Sequence, residues 1–124
     1  MGWTDALKYI SDFDEIVRYL DEMDRFHDYR VGNIEHRDGK ASIFIEEVIQ
    51  EKSLQESTGK IWECDFEGIK VFEIVCDSAM QFYIGEVHGG SEKGEMMFEL
   101  TNGYIRIVAE TVCLRVPSDM RTVN

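Results

Sequence analysis

The chain is poor in several things at once. It has one proline in 124 residues, three cysteines with no close pair, 13 basic residues against 25 acidic ones, and no apolar run longer than a few residues. The short apolar runs leave no membrane-spanning segment, which needs about 20 predominantly apolar residues. An odd, widely spaced set of cysteines (Cys64, Cys76, Cys113) argues against a disulfide framework. All three fall in strand-like runs, where a thiol packs as a small buried hydrophobe, and such usage predicts a reducing, cytoplasmic setting. The first fifteen residues lack a basic n-region and a long apolar h-region, so they do not read as a signal peptide. Ala6 stands where N-myristoylation of Gly2 needs Ser or Thr.

Catalytic and metal signatures are also missing. The sequence contains no His-x-His, His-Glu-x-x-His or Cys-x-x-Cys, no Gly-x-Ser-x-Gly, no Walker loop and no Gly-x-Gly-x-x-Gly. The expectation is a non-enzymatic protein with no metal and no cofactor. The shortage of positive charge leaves a formal net charge of −12. An acidic surface repels phosphate backbones, which argues against nucleic-acid binding. It keeps small proteins apart in solution, and it also attracts a basic protein partner over long range.

What is present is alternation. Residues 95–110 form two alternating runs joined by Asn102-Gly103, the dipeptide favoured in a type I′ hairpin turn because both central residues need positive φ. With those two as the turn, Leu100 faces Ile105, Glu99 faces Arg106 and Phe98 faces Ile107. Met96, Phe98, Leu100, Ile105, Ile107 and Ala109 then share one face.

Before the strands comes a helix. Thr4 caps a short first turn through Ile10, and Ser11 and Asp12 cap the main helix, with Asp14 and Glu15 in its first turn. Phe13, Ile16, Val17, Leu20 and Met23 make one apolar stripe, and the helix ends near residues 25–28. From Tyr29 the period is two. Asp38-Gly39 joins a second hairpin, with Ile34 opposite Ile43 and Gly32 opposite Ile45, and the alternation breaks at Glu46-Glu47, where a bulge is expected. Residues 51–59 read as a polar loop. Residues 60–66 and 69–77 read as strands around Glu67-Gly68, a turn or a glycine bulge. A tight hairpin there would put Glu73 on the face of Trp62 and Phe66. Residues 80–88 are the next strand, and Pro117 stops the last one.

With no βαβ alternation the sheet is antiparallel. The predicted fold class is α+β: an N-terminal helix packed on a strongly bent antiparallel sheet or half-barrel of six to eight strands. The chain reads as a single domain over residues 1–124, with a helical part (1–28), the sheet (29–116) and a tail (117–124). It is a monomer, or a homodimer through an uncovered sheet edge.

Candidate binding residues follow from type and place. His27 beside Asp28 suits general acid–base or metal chemistry, but the pair equally ends a helix and caps the turn into the strand. His36 and His88 end strands beside glycine-containing turns, and a site built from His27, His36 and a carboxylate lacks supporting spacing. His88-Gly89-Gly90-Ser91 has the look of an oxyanion loop and equally of a glycine-rich connection. Phe44, Tyr83 and Tyr104 alternate away from the core face, as anchors of an interface ringed by acids or as the lining of a small pocket.

The order helix, Phe26-His27-Asp28, hairpin, Trp62 through Ile69, and a closing strand rich in Ile and Val from Tyr104 to Leu114 resembles small bacterial proteins of the immunity type, from polymorphic-toxin or contact-dependent loci. The resemblance implies a cytoplasmic, non-enzymatic protein that neutralises a cognate toxin by binding it. The leading expectation is therefore an interaction protein for a basic partner. The alternatives are a small-molecule binding domain with a cavity between helix and sheet, and a small enzyme using His27 with a carboxylate.

Overall fold

The computed structural model describes residues 8–51, 54–76 and 82–117. A short strand β1 (Lys8–Ile10) precedes helix α1 (Phe13–Glu22), and β2 (Arg30–Arg37), β3 (Lys40–Glu51), β4 (Leu54–Cys76), β5 (Phe82–Gly89), β6 (Glu95–Leu100) and β7 (Gly103–Val116) follow. The strands form one antiparallel sheet in the order β1-β7-β4-β3-β2-β5-β6, and β6 also pairs with β7, so the sheet bends into a ring. One helix on a bent sheet of seven antiparallel strands is the α+β fold that the alternation implies. No helix among the described residues is long and apolar enough to cross a membrane.

The helix starts where its cap chemistry places it. Asp12 is the N-cap, and its carboxylate accepts a hydrogen bond from the Glu15 amide at 3.1 Å. Ile16 and Leu20 are buried, with Phe13, Tyr19 and Met23 packed partly against the core. Residues 8–10, expected at the end of a short helical turn, instead form β1 and pair with the end of β7 (Lys8 with Val116, Ile10 with Leu114). Thr4 lies outside the described residues. The predicted tail beyond Pro117 lies outside them too.

After α1 the chain makes one turn of left-handed helix. Asp24, Arg25 and Phe26 have φ of 54°, 52° and 57°. Each such L-residue costs about 1–2 kcal/mol against the right-handed form. Phe26 is fully buried and holds the turn down. Its ring lies 5.1 Å from Trp62 and 5.5 Å from Tyr29, and Trp62 Nε1 donates to Tyr19 Oη at 2.8 Å. These aromatics fill the space between helix and sheet. The ring interior is filled by Ile43, Ile45, Phe66, Ile84, Phe98, Ile105, Ile107 and Leu114.

The hairpins form, with differences in register. Asp38 and Gly39 both have positive φ, and Ile34 pairs with Ile43 as expected. Gly32, however, sits in a bulge between Val31 and Asn33, so Val31 rather than Gly32 faces Ile45. In the second hairpin Leu100 pairs with Gly103 and Phe98 with Ile105. The connecting residues are Thr101 and Asn102, and the strands are slipped by two residues from the expected pairing. A slip of two preserves the faces, because side chains alternate with period two. Met96, Phe98, Leu100, Ile105, Ile107 and Ala109 are accordingly all buried. Arg106 moves away from Glu99 and pairs with Glu95 and Glu73.

The expected bulge at Glu46-Glu47 is present, with the register shifting between Glu46 and Val48. Glu47 there accepts from Tyr29 Oη at 3.0 Å and from Thr58 Oγ1 at 2.7 Å. One expectation needs correction, and one choice left open is decided. Residues 54–57 of the predicted loop pair with residues 48–51 and extend the β3–β4 ladder. The chain also passes Glu67-Gly68 without turning back, so β4 is one long strand. Gly68 has φ 68°, the β4–β7 ladder shifts register between Ile69 and Val71, and Glu73 faces outward to Arg106. Of the cysteines only Cys64 is buried; Cys76 and Cys113 are half-buried.

Candidate functional site

Two of the groups of interacting polar side chains on the outer wall of the ring hold the candidate residues. The first spans the long strands. Phe44, Glu63, Arg115 and Tyr9 are successive register partners across β3, β4, β7 and β1. The adjacent row runs Glu35, Ser42, Asp65, Cys113. Trp62, Cys64 and Phe66 point into the core, so alternation sends Glu63 and Asp65 outward side by side. Both side chains are nonetheless largely covered, at 23% and 27% exposure. Ser42 Oγ donates to Asp65 at 2.7 Å. The Arg115 guanidinium reaches both carboxylates, at 3.8 Å and 3.5 Å, and lies 5.1 Å from the centre of the exposed Tyr9 ring. Burial first, and then the neighbouring Asp65 carboxyl, push Glu63 up to about 7 against the opposing pull of Arg115.

The second group lies where the left-handed turn meets β5. Arg25 pairs with Asp21 at 3.0 Å and reaches Glu86 at 3.3 Å. The exposed His27 ring places Nδ1 2.9 Å from the Gly85 carbonyl oxygen. Asp28 has φ of 70°, which curls its carboxylate back to 3.5 Å from His27 Nε2. The bond to Gly85 first, and then Asp28, raise the His27 pKa above the ordinary value. Further along β5, His88 Nε2 is 2.6 Å from Glu99 of β6. Burial pulls the His88 pKa down, and the hydrogen bonds to Glu99 and to the Gly89 carbonyl outweigh it, for a net rise.

Of the residues singled out in the sequence, His27 and Asp28 come together, joined to β5. Phe44, Tyr83 and Tyr104 do not form one patch. Phe44 is on the row of Glu63, Tyr83 is paired with Arg30 at the β2–β5 seam, and Tyr104 stands between Glu99 and Val75 on β7. His36 stacks on Phe72 with ring centres 4.3 Å apart at the far end of β2, an eight-residue strand away from His27. The amides of the His88-Gly89-Gly90-Ser91 loop are not aimed at a ligand. Gly90 N donates to the Glu95 carbonyl and Ser91 N to the Glu95 carboxylate, which is buried and also held by Arg106. Arg106 first, and then the Glu92 and Ser91 amides, hold the Glu95 carboxyl below its usual range.

Glu63, Asp65 and Arg115, like Glu86 and Glu99, escaped sequence reasoning. The signal was the pair of carboxylates two apart in a strand, Glu63-Cys64-Asp65, among 25 acids that gave no means of choosing. No family model, curated protein or solved structure matches the chain. Its function must be argued from these groups alone.

Proposed function

We propose that this is a non-enzymatic interaction protein of the immunity type, acting in the cytoplasm, which blocks a basic protein partner by binding it. The docking face is the outer wall around Glu63 and Asp65. One observation carries the reading. Two adjacent, largely covered carboxyls share the guanidinium of Arg115, and one of them is pushed up to about 7. A Lys or Arg of a partner placed there would pair with a carboxylate that is otherwise costly to ionise. Phe44 and Tyr9 flank the pair and supply apolar contact, and the net charge of −12 supplies long-range attraction.

The test is capture by the immobilised chain and by a Glu63→Gln/Asp65→Asn/Glu35→Gln variant from lysate of the source organism, at low and moderate salt. The expected result is one basic protein retained stoichiometrically by the parent chain, released by salt and lost by the variant. Equal retention by the variant, or an acidic partner, overturns the proposal. For the captured pair, the parent association rate should fall steeply with ionic strength and the variant rate much less.

A further inference from the structure

We propose that Glu86, His88 and Glu99 form a cross-strand site for a divalent transition-metal ion of the zinc type. The backbone brings them together. Glu86 and His88 are two residues apart on β5 and so share a face, and Glu99 of β6 is the register partner of Glu86. One donor atom from each lies within 4.8 Å of the others. Tetrahedral zinc, at about 2.0–2.2 Å from its ligands, holds them about 3.4 Å apart, so binding widens the 2.6 Å contact of His88 with Glu99 and draws Glu86 in.

The imidazole is already set as a metal ligand would be. His88 Nδ1 lies 3.1 Å from the Gly89 carbonyl oxygen, which accepts its proton, and Nε2 points at the Glu99 carboxylate, 2.6 Å away. Both ring nitrogens face acceptors, so a second proton satisfies Nε2 and Glu99 in the metal-free protein, and a metal ion bound to both would take that proton's place. Ligating histidines hold their other nitrogen to a backbone carbonyl or carboxylate in this way. One imidazole and two carboxylates suit zinc, whereas calcium and magnesium favour all-oxygen sets. Three protein ligands leave a fourth position for water. The cation opposing this is Arg25, 3.3 Å from Glu86, and it keeps Asp21 at 3.0 Å when Glu86 turns to the metal.

Titration of the full chain with Zn2+, with Mg2+ as the comparison, followed by calorimetry and amide NMR, tests the site. Saturable 1:1 zinc binding is expected, with shifts centred on Glu86–His88 and Glu99 and none with Mg2+. His88→Ala and Glu99→Gln should each weaken it at least about tenfold, since loss of an outer-shell partner alone costs 10–100-fold. Arg25→Ala should tighten it, and His36→Ala should leave it unchanged. Circular dichroism and thermal unfolding establish that each variant is folded. No zinc binding, equal binding by folded His88→Ala and Glu99→Gln, or loss of binding in His36→Ala overturns the proposal.

Discussion

At the residue scale the outer wall places charge where burial opposes it. Glu63 keeps its proton to higher pH in the native state than in the unfolded chain, because its folded pKa is raised from 4.5 to about 7. Its contribution to stability is therefore full below about 4.5 and is lost as pH rises to about 7. Glu63→Gln removes this dependence. Urea unfolding should show the variant more stable than the parent by about 1–2 kcal/mol at pH 8, with the gap closing by pH 4. A gap that is equal at both pH values means that Glu63 ionises in the fold as freely as in the unfolded chain. Glu95 shows the opposite arrangement. It too is an acid in a strand, but Arg106 and two loop amides satisfy it, so its charged form is the favoured one.

At the element scale the left-handed turn at residues 24–26 is the strained part of the connection from helix to sheet. Its three residues all carry a Cβ, and the cost is offset by burial of Phe26 among Tyr19, Tyr29 and Trp62. Asp24 is exposed and contributes its carbonyl to the turn, through the His27 amide. Asp24→Gly should keep that bond and relieve the strain at φ 54°, raising stability by about 0.5–1 kcal/mol in thermal or urea unfolding. A loss of stability would place the Asp24 side chain in a supporting role that outweighs the strain. The turn also explains why His27 and Asp28 meet. Neighbours in an extended segment point apart, and the positive φ of Asp28 folds its carboxylate back.

For the whole molecule, the ring is closed unevenly. β4 and β7 pair from Glu63 opposite Arg115 to Cys76 opposite Gly103. Among the described residues β2 and β5 meet only at Arg30 with Tyr83 and Val31 with Phe82. Opening free energy follows local pairing and packing, so the seam should open before the β4–β7 ladder. Native-state hydrogen exchange should show amides of residues 30, 31 and 83 exchanging through smaller openings than those of residues 64, 66, 105 and 107. Uniform protection around the ring would mean that it opens as a single unit.

The sequence by itself determined which residues face inward and where some of the hairpins turn. Alternation is local, and a strand's two faces need nothing distant to be distinguished. The helix cap at Asp12, the Asp38-Gly39 turn and the buried face of the 95–110 hairpin were legible for that reason. Register was less legible. Pairing slipped by two residues costs no change of face, and β7 also pairs along its other edge with β4, which the hairpin segment does not contain. The continuity of β4 through Gly68 was hidden because a glycine permits both a turn and a positive φ within a continuing strand. The candidate sites were least legible of all. That Glu63 and Asp65 share Arg115, that Glu86 and His88 meet Glu99, and that Phe44, Tyr83 and Tyr104 stand apart depends on which strands are neighbours around the ring. Long-range pairing sets that, and only the tertiary structure decides it, because no single segment contains both sides of the contact.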